Sequence, residues 1–298
     1  MTGLPDLFPG FEGHTVDTEG ATIFARCGGS GQPLLLLHGF PQSHVMWHKI
    51  APALAERFTL VIPDLRGYGA SSCPPTDATG FPYSKRAMAN DMVQLMEAFG
   101  FGEFRVCGHD RGARVAYRMA LDYGDKVLKL AVLDIVPTFA MWHGMDHHMA
   151  MKVYHWMFLA QPYPLPETLI ERASEYYLDH TIASWTKDKD LSAFDKTALA
   201  HYRANMARPE RIRAMCEDYR SGASYDLRAD EADHEAGKKI GCPTLAIWGD
   251  AGIPDAPPLE TWQKWANDVV GHPVDSGHFI CEENPQAALD ALLPFMRK

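Results

Sequence analysis

The sequence has few cysteines, and none of them lie close together. The six in 298 residues form no Cys-x-x-Cys pair. This spacing excludes a disulfide framework and a zinc knuckle, so we expect reduced thiols, as in an intracellular protein. They are Cys27, Cys73, Cys107, Cys216, Cys242 and Cys281.

Long hydrophobic runs are also lacking. The longest purely aliphatic stretch, Leu34–Leu37, is far shorter than the roughly 20 residues that cross a bilayer. The segment Met1–Gly10 has no basic region followed by an apolar stretch, which a secretory signal peptide would show. We therefore expect a cytoplasmic protein with no membrane partner.

Basic stretches are missing as well. The chain has 28 Lys and Arg against 38 Asp and Glu, a formal net charge of −10 with histidine neutral. Nucleic acid is therefore not an expected partner, because a phosphate backbone requires a basic surface. Hydrophobic residues make up 46% of the chain and charged residues 22%, which is typical of a globular protein with a sizeable core.

Short apolar runs alternate with helical patterns from residue 20 onward, which indicates a mostly parallel sheet covered by helices. The runs Leu34–Leu37 and Leu130–Leu133 are apolar throughout, as expected for strands buried on both faces. The predicted strands are Ile23–Cys27, Pro33–His38, Thr59–Pro63, Arg105–Gly108 and Lys129–Asp134. The predicted helices are Val45–Arg57, Ser84–Phe99 and Arg111–Tyr123.

The pattern changes after Asp134. No convincing strand lies between Pro137 and Gly222, where Met, Trp, Tyr and His are frequent. We therefore predict a helical cap at 137–222, inserted into an α/β core formed by 1–136 and 223–298. After the cap, the pattern predicts a strand at Pro243–Trp248 and then a loop rich in Pro and Gly. A helix near Leu259–Val269 and a short strand near His272–Val274 follow. The last predicted helix has Asn284 as its N-terminal cap and Pro285 in its first turn.

The segment Gly108-His109-Asp110-Arg111-Gly112 lies between a predicted strand and a predicted helix. Small residues at both ends allow a sharp, strained turn that presents one side chain above the sheet, a nucleophile elbow. The presented residue is Asp110 rather than serine or cysteine. A carboxylate nucleophile attacks an sp³ carbon and forms an alkyl ester, which favours carbon–halogen or epoxide substrates over acyl transfer.

Hydrolysis of that ester requires a base and hydrogen-bond donors for the developing oxyanion. His278 follows Ser276-Gly277 late in the chain, as the order nucleophile, acid, base requires. The backbone N–H groups of Phe40 and Arg111 are the candidate oxyanion donors. The acid that orients the base is either Asp134, which ends a predicted strand, or Asp250, which follows Ile247-Trp-Gly after the cap. The residues alone do not separate the two.

Four motifs together resemble the fluoroacetate dehalogenases of the α/β-hydrolase superfamily, and the resemblance extends over the whole chain. Epoxide hydrolases share two of the four, the motifs that begin at His38 and at Asp64. The combination of Asp110-Arg111-x-x-Arg114 with Tyr154-His155-Trp156 is more specific to the fluoroacetate dehalogenases. The four motifs are His38-Gly-Phe-Pro41, Asp64-Leu-Arg-Gly-Tyr-Gly-Ala-Ser71, Gly108-His-Asp-Arg-Gly-Ala-Arg114 and Ser276-Gly-His278.

The resemblance implies an α/β-hydrolase fold, a mostly parallel sheet with helices on both faces and an inserted helical cap. It implies Asp134 as the acid and hydrolysis of short 2-haloacids, fluoroacetate above all, to glycolate and halide. It also implies a homodimer and no cofactor. The implied halide donors are His155, Trp156 and Tyr219, and we expect His109 and Trp185 to line the pocket.

Arg111 and Arg114 agree with that resemblance on physical grounds. They lie three residues apart at the first turn of the helix that leaves the elbow, so one face of that turn faces Asp110. Two fixed guanidinium groups can hold a carboxylate. They also keep Asp110 ionised and allow an anionic substrate to approach it.

Two other functions remain open. An epoxide hydrolase would share the nucleophile and base but use cap tyrosines, for which Tyr154 and Tyr219 are available. A non-catalytic ligand-binding protein would not need the nucleophile, acid and base candidates together. The histidines His143, His147 and His148 give a weak indication of a metal, but no carboxylate completes a ligand set in the H-E-x-x-H manner, and we expect none.

Overall fold

A computed structural model of the protein describes residues 3–252 and 258–297. Its centre is an eight-stranded sheet in the order β1-β2-β4-β3-β5-β6-β7-β8. β1 and β2 are antiparallel to their neighbours, and all other pairs are parallel. The strands are β1 (Glu12–Asp17), β2 (Thr22–Gly29), β3 (Gln32–Leu37), β4 (Phe58–Pro63), β5 (Phe104–His109), β6 (Val127–Leu133), β7 (Thr244–Gly249) and β8 (Val269–Val274).

The central strands are buried because their sequences are apolar on both faces. Leu34–Leu37 in β3 and Leu130–Leu133 in β6 are almost fully buried, which confirms the prediction of a mostly parallel sheet. The sequence missed β1, a polar strand with no buried residue that forms one edge of the sheet. Its signal is weak because its sequence, Glu-Gly-His-Thr-Val-Asp, has one apolar residue with a large side chain, and pairing with β2 defines it as a strand.

Fourteen α-helices lie in the described part of the chain. Among the core helices, α3 contacts β5 and β6 and packs beside α2. The helices are α1 (Ala51–Ala55), α2 (Lys85–Ala98), α3 (Asp110–Asp122), α4 (Thr138–His143), α5 (His147–Lys152), α6 (His155–Leu159), α7 (Leu165–Glu171), α8 (Ser174–Trp185), α9 (Lys196–Met206), α10 (Pro209–Gly222), α11 (Tyr225–Glu235), α12 (Pro258–Gln263), α13 (Ile280–Glu283) and α14 (Pro285–Arg297).

Two predicted helices were wrong in extent. The expected helix Val45–Arg57 is a 3₁₀-helix at His44–Trp47 followed by α1. Pro52 at the start of α1 has no N–H to continue a helix from the preceding turn, so the chain begins a new helix there. The helix expected to reach Val269 ends at Gln263, because Val269 pairs with Thr244 in the sheet.

All eight helices from α4 to α11 lie between β6 and β7. No strand lies between those two strands, a stretch that the structure describes in full. This agrees with the helical character predicted for the insertion, whose boundaries at 137 and 222 remain a prediction. The Pro- and Gly-rich loop predicted after Trp248 extends into residues 253–257, outside the described residues. None of the helices within 3–252 and 258–297 is long and apolar enough to cross a membrane.

Gly112 sets how closely α3 approaches β3. A Cβ at this position would lie 2.3 Å from the His38 carbonyl oxygen and 2.4 Å from that of Leu37. Both atoms belong to the backbone and cannot rotate away. The elbow therefore requires glycine here for close approach rather than for helix formation.

We predict that Gly112→Ala destabilises the protein by about 1–3 kcal/mol, because the added methyl forces α3 away from β3. Alanine inside a helix ordinarily stabilises by about 0.5–1 kcal/mol, so a loss would isolate the clash. Urea unfolding measures the change. Gly102→Ala is the control, since a Cβ there meets nothing within 4 Å; equal stability of the two variants would contradict the prediction.

Candidate active site

Asp110 lies at the sharp turn between β5 and α3. Its backbone φ is +47°, in the left-handed region that a non-glycine residue rarely adopts. A Cβ on Gly108 would lie 2.6 Å from backbone atoms of Ala113, so only glycine allows the turn to close this tightly. The sequence therefore folds into an elbow that presents the Asp110 carboxylate.

The Asp110 carboxylate contacts the loop after β3. The Phe40 backbone N–H donates to Asp110 Oδ1 at 2.9 Å, and a Cβ on Gly39 would lie 2.4 Å from the Asp110 Cβ. Arg111, the other predicted oxyanion donor, has its N–H in the first turn of α3, where helix amides have no acceptor within the helix. Both amides that are predicted as oxyanion donors therefore lie next to the Asp110 carboxylate.

His278 lies between two carboxylates. Its Nδ1 is 2.5 Å from Asp134 Oδ2, and its Nε2 is 3.8 Å from Asp110 Oδ2. That Nε2 is buried and makes no hydrogen bond with the described residues. Asp134, at φ +55°, is held in turn by the Gly249 N–H, which donates to its Oδ1 at 2.9 Å. The arrangement leaves Nε2 available to a small molecule beside Asp110.

Asp250, the alternative acid, lies elsewhere. Lys187 Nζ donates to its two carboxylate oxygens at 3.0 and 3.1 Å, and its side chain is 47% exposed. The carboxylate that contacts His278 is that of Asp134. The sequence left the two equal because both follow parallel strands, β6 and β7, at the same edge of the sheet.

Burial and charge act against each other on these groups. Burial raises the pKa of Asp110, but the charges of His278, Arg111 and Arg114 outweigh it and hold the pKa below its ordinary value. Burial lowers the pKa of His278, yet the hydrogen bond and charge of Asp134 raise it above the ordinary value of 6.5. Asp110 is therefore ionised near neutral pH, and His278 binds a proton more readily than a free histidine.

Arg111 is held by a carboxylate that the sequence analysis missed. Asp218 accepts from Arg111 Nε at 2.9 Å and from Nη2 at 2.7 Å. The Tyr68 hydroxyl and Lys85 also donate to Asp218. Nothing in its spacing along the chain signals this role, since α10 brings Asp218 to Arg111 only in the tertiary structure. The bidentate side of Arg111, expected to face a ligand, is thus occupied, and its buried Nη1 alone has no partner.

Arg114 has no carboxylate partner among the described residues. Its Nη1 donates to the Val136 carbonyl at 3.1 Å and to Thr138 Oγ1 at 3.0 Å. Its Nε is buried and makes no hydrogen bond, and its guanidinium carbon lies 4.5 Å from the centre of the Trp156 ring. Arg114 is therefore a buried cation whose charge is balanced only by Asp110 nearby.

The predicted halide donors lie together in the cap. The Tyr219 ring centre is 5.7 Å from that of His155 and 6.2 Å from that of Trp156. Adjacent positions converge here because α6 begins at His155 and has only five residues. His155 Nδ1 and the Tyr219 hydroxyl are buried and have no hydrogen-bond partner among the described residues. Burial lowers the pKa of His155 to about 3, so this histidine is neutral.

A cavity of about 350 Å³ opens onto Asp110. His278, Arg114, Trp156 and Trp185 are among its walls, whereas Arg111 and Tyr219 are buried beside them. His109 differs from the expectation that it lines the pocket: it is fully buried, and its Nε2 donates to the His278 carbonyl at 2.8 Å. It therefore supports the base rather than contacting a ligand.

The three histidines that were considered as metal ligands have different partners in the structure. His143 Nε2 lies 3.1 Å from Glu231 Oε1, and the rings of His147 and His148 contact each other at an angle of 38°, with centres 3.9 Å apart. Within residues 3–252 and 258–297, no group of three or more His, Cys, Asp or Glu side chains is arranged to hold a metal ion.

The sheet, the sharp turn at Asp110 and the contact between His278 and Asp134 are features of one class of hydrolases. The family model of the α/β-hydrolase fold matches residues 32–285, and the chain belongs to that family. The predicted fold class, an α/β-hydrolase fold with a mostly parallel sheet and helices, is thereby confirmed.

Particular relatives match nearly the whole chain. A fluoroacetate dehalogenase from Burkholderia sp. is 40% identical over 97% of this chain and 95% of its own. A soluble epoxide hydrolase from Corynebacterium sp. (strain C12) is 35% identical over 95% of this chain and 96% of its own. The solved structure of ALR0039 from Nostoc sp. PCC 7120 is 50% identical, with a TM-score of 0.93 over 96% of this chain and 97% of that one.

We predict that Asp134→Asn lowers the pKa of His278, because it removes the negative charge that stabilises the protonated ring. NMR titration of the His278 ring measures this directly. Asp250→Asn is the matched control and should leave the His278 pKa unchanged. A larger shift in the control variant would assign the acid to Asp250 instead.

Proposed function

We propose that this protein is a hydrolytic dehalogenase that converts fluoroacetate and other short 2-haloacids to glycolate, or the matching 2-hydroxyacid, and halide. The proposal includes the division into a core and a cap at 137–222, and the homodimer that the family resemblance implies. No metal or cofactor is needed, since the ester chemistry uses side chains and water alone.

The observation that carries the proposal is the buried charge of Arg114. A buried cation is costly unless an anion pairs with it. Among the described residues, Arg114 donates to the neutral oxygens of Val136 and Thr138 and makes no ion pair. A substrate carboxylate would supply the missing partner. Arg114 Nε and Arg111 Nη1, both buried without acceptors, are the donors we assign to it.

In the first step the Asp110 carboxylate displaces the halide from C2 of the substrate. A C2–O bond forms as the carbon–halogen bond breaks, and Asp110 becomes an aspartyl ester. Asp110 Oδ1 already accepts from Phe40 N–H, which leaves Oδ2 as the attacking atom. The ionised state of Asp110, maintained by the nearby positive charges, makes it a competent nucleophile.

Fluoride is a poor leaving group and needs donors in a dry site. We assign this role to the ring N–H groups of His155 and Trp156 and to the Tyr219 hydroxyl. Neutral His155 and Tyr219 are buried with unpartnered polar atoms, so a halide would satisfy groups that the folded protein leaves without partners.

In the second step His278 removes a proton from water, which attacks the Asp110 carbonyl carbon. The 3.8 Å between His278 Nε2 and Asp110 Oδ2 is too long for a hydrogen bond and suits a water between them. Asp134 stabilises the imidazolium, and the Phe40 and Arg111 amides stabilise the oxyanion. When the intermediate collapses, the bond from the Asp110 carbonyl carbon to the substrate-bound oxygen breaks, and that oxygen takes the proton from His278. The second proton of the water passes to solvent, so the hydroxyacid leaves and the Asp110 carboxylate is restored.

Relatives support the reaction class and leave one alternative. The fluoroacetate dehalogenase at 40% identity favours a hydrolase of carbon–halide bonds. The soluble epoxide hydrolase at 35% favours the alternative, in which Asp110 opens an epoxide and cap tyrosines protonate the oxygen. Tyr154 lines the cavity and the Tyr219 hydroxyl is buried without a partner, so both are available for that role.

The first experiment is halide release from fluoroacetate and chloroacetate, with diol formation from small epoxides in parallel. We expect fluoride together with glycolate. Diol without halide would show an epoxide hydrolase with the same nucleophile. No turnover of any of these compounds would favour a ligand-binding protein.

Substitution of the nucleophile Asp110 and, separately, of the base His278 should distinguish the alkylation step from the hydrolysis step. Asp110→Asn is expected to lower kcat by at least about 1,000-fold, because the amide is not a nucleophile. His278→Asn should still release one halide per active site and then remain alkylated on Asp110, which intact-protein mass spectrometry detects. Full turnover by Asp110→Asn would refute the mechanism.

Arg114→Lys should separate the two candidate functions. A lysine keeps the charge but not the planar donor geometry, so kcat/KM for fluoroacetate should fall about 10- to 100-fold. Epoxide turnover, if present, should change little. Arg57→Lys, at an exposed position, is the control; an unaffected kcat/KM in Arg114→Lys would remove this residue from substrate binding.

A further inference from the structure

The base loop, residues 275–279, has no regular secondary structure, yet it carries His278. One carboxylate holds the loop on both sides of the base. Glu283 Oε1 accepts from the Phe279 N–H at 2.8 Å, and Glu283 Oε2 accepts from the Gly277 N–H at 2.9 Å. The backbone amides directly before and after His278 are therefore bound to the same side chain.

The same carboxylate also reaches the cap. Glu283 Oε2 accepts from the Lys187 N–H at 2.8 Å, just after α8, and the His278 N–H donates to the Trp185 carbonyl at 2.9 Å. The two segments are in close contact, since a Cβ on Gly277 would lie 2.4 Å from the Lys187 nitrogen. The base loop and the cap segment 185–187 thus form one hydrogen-bonded unit around Glu283.

We infer that Glu283 is a positioning residue, which holds His278 at the distance that ester hydrolysis requires and joins the base loop to the cap. The inference rests on the proposed function, in which His278 acts only in the second step. Glu283 does not contact the substrate in this assignment. It acts through the backbone of the base loop.

Only an ionised carboxylate provides these bonds together. It offers about four lone pairs over two oxygens and has no N–H of its own, and its charge strengthens hydrogen bonds from amides. Glutamine has one acceptor oxygen, so it can keep the bond to Phe279 or the bonds to Gly277 and Lys187, but not both sets. Alanine keeps none of them.

The charge of Glu283 also acts on the base. Burial lowers the pKa of His278, and the hydrogen bond and charge of Asp134, the charge of Asp110 and the charge of Glu283 all raise it. His109 faces the same ring at 4.5 Å between centres, and its own pKa is lowered by burial to about 3, so it adds no positive charge near neutral pH. Removal of the Glu283 charge should therefore lower the His278 pKa.

The mechanism offers a readout that a general loss of structure would not produce. Alkylation of Asp110 does not use His278, whereas hydrolysis of the ester does. In Glu283→Gln we expect the rate of the first halide burst to stay within about twofold, and kcat to fall about 10- to 100-fold, as a displacement near 1 Å can cause. The alkylated protein should accumulate, as seen by mass spectrometry, and more so in Glu283→Ala.

Asp290→Asn is the matched control. It removes a carboxylate from the same end of the chain, at an exposed position where Asp290 accepts only from Gln286 of its own helix. We expect its burst, kcat and His278 pKa to match those of the wild type. If Glu283→Ala does not fold, Glu283→Gln carries the test alone.

Two results for Glu283→Gln would overturn the inference. In one, the rate of the first halide burst and kcat fall by the same factor; in the other, kcat does not change. Failure of the proposed function is distinguishable, because the wild type would then release no halide from fluoroacetate or chloroacetate. In that case NMR still decides: a lowered His278 pKa with shifted Gly277 and Phe279 amide resonances in Glu283→Gln supports the positioning role. Unchanged resonances and pKa overturn it.

Discussion

The structure depends on keeping one carboxylate both buried and ionised. Asp110 is only 6% exposed, and burial alone would favour its neutral form, which is not a nucleophile. The Phe40 amide and the charges of His278, Arg111 and Arg114 reverse that preference. The loop after β3, the first turn of α3 and the loop of His278 meet at Asp110, and each supplies one or more of these compensating groups.

The cations that stabilise Asp110 differ in how they are themselves compensated. Asp218 binds one edge of the Arg111 guanidinium through Nε and Nη2, and Lys85 shares the same carboxylate, so Arg111 is fixed before any ligand arrives. Arg114 is held only by neutral oxygens. In the proposed function, the carboxylate of an anionic substrate would pair with Arg114, whereas a neutral epoxide would leave Arg114 with the Asp110 charge alone.

In the proposed reaction, the two chemical steps depend on different parts of the molecule. Arg111, Arg114 and the aromatic groups of the cap lie around Asp110, the proposed site of alkylation, whereas His278 lies on a loop with no regular structure. That loop is bound to Asp134 through the His278 ring and to Glu283 through the backbone amides on either side. A loop can carry a base with the required precision because charged side chains, rather than secondary structure, hold it in place.

The sequence by itself determined the parallel core and the sharp turn at Asp110, and it predicted the order of nucleophile and base, because apolar runs such as Leu34–Leu37 and glycines at fixed positions are local signals. It did not reveal β1, the break at Pro52 or the choice between Asp134 and Asp250, which depend on strand pairing, helix initiation and the direction of a side chain. The roles of Asp218 and Glu283 were also out of reach. Their partners lie on other elements, and only the tertiary structure decides which of many acidic side chains meets a buried arginine or a loop amide.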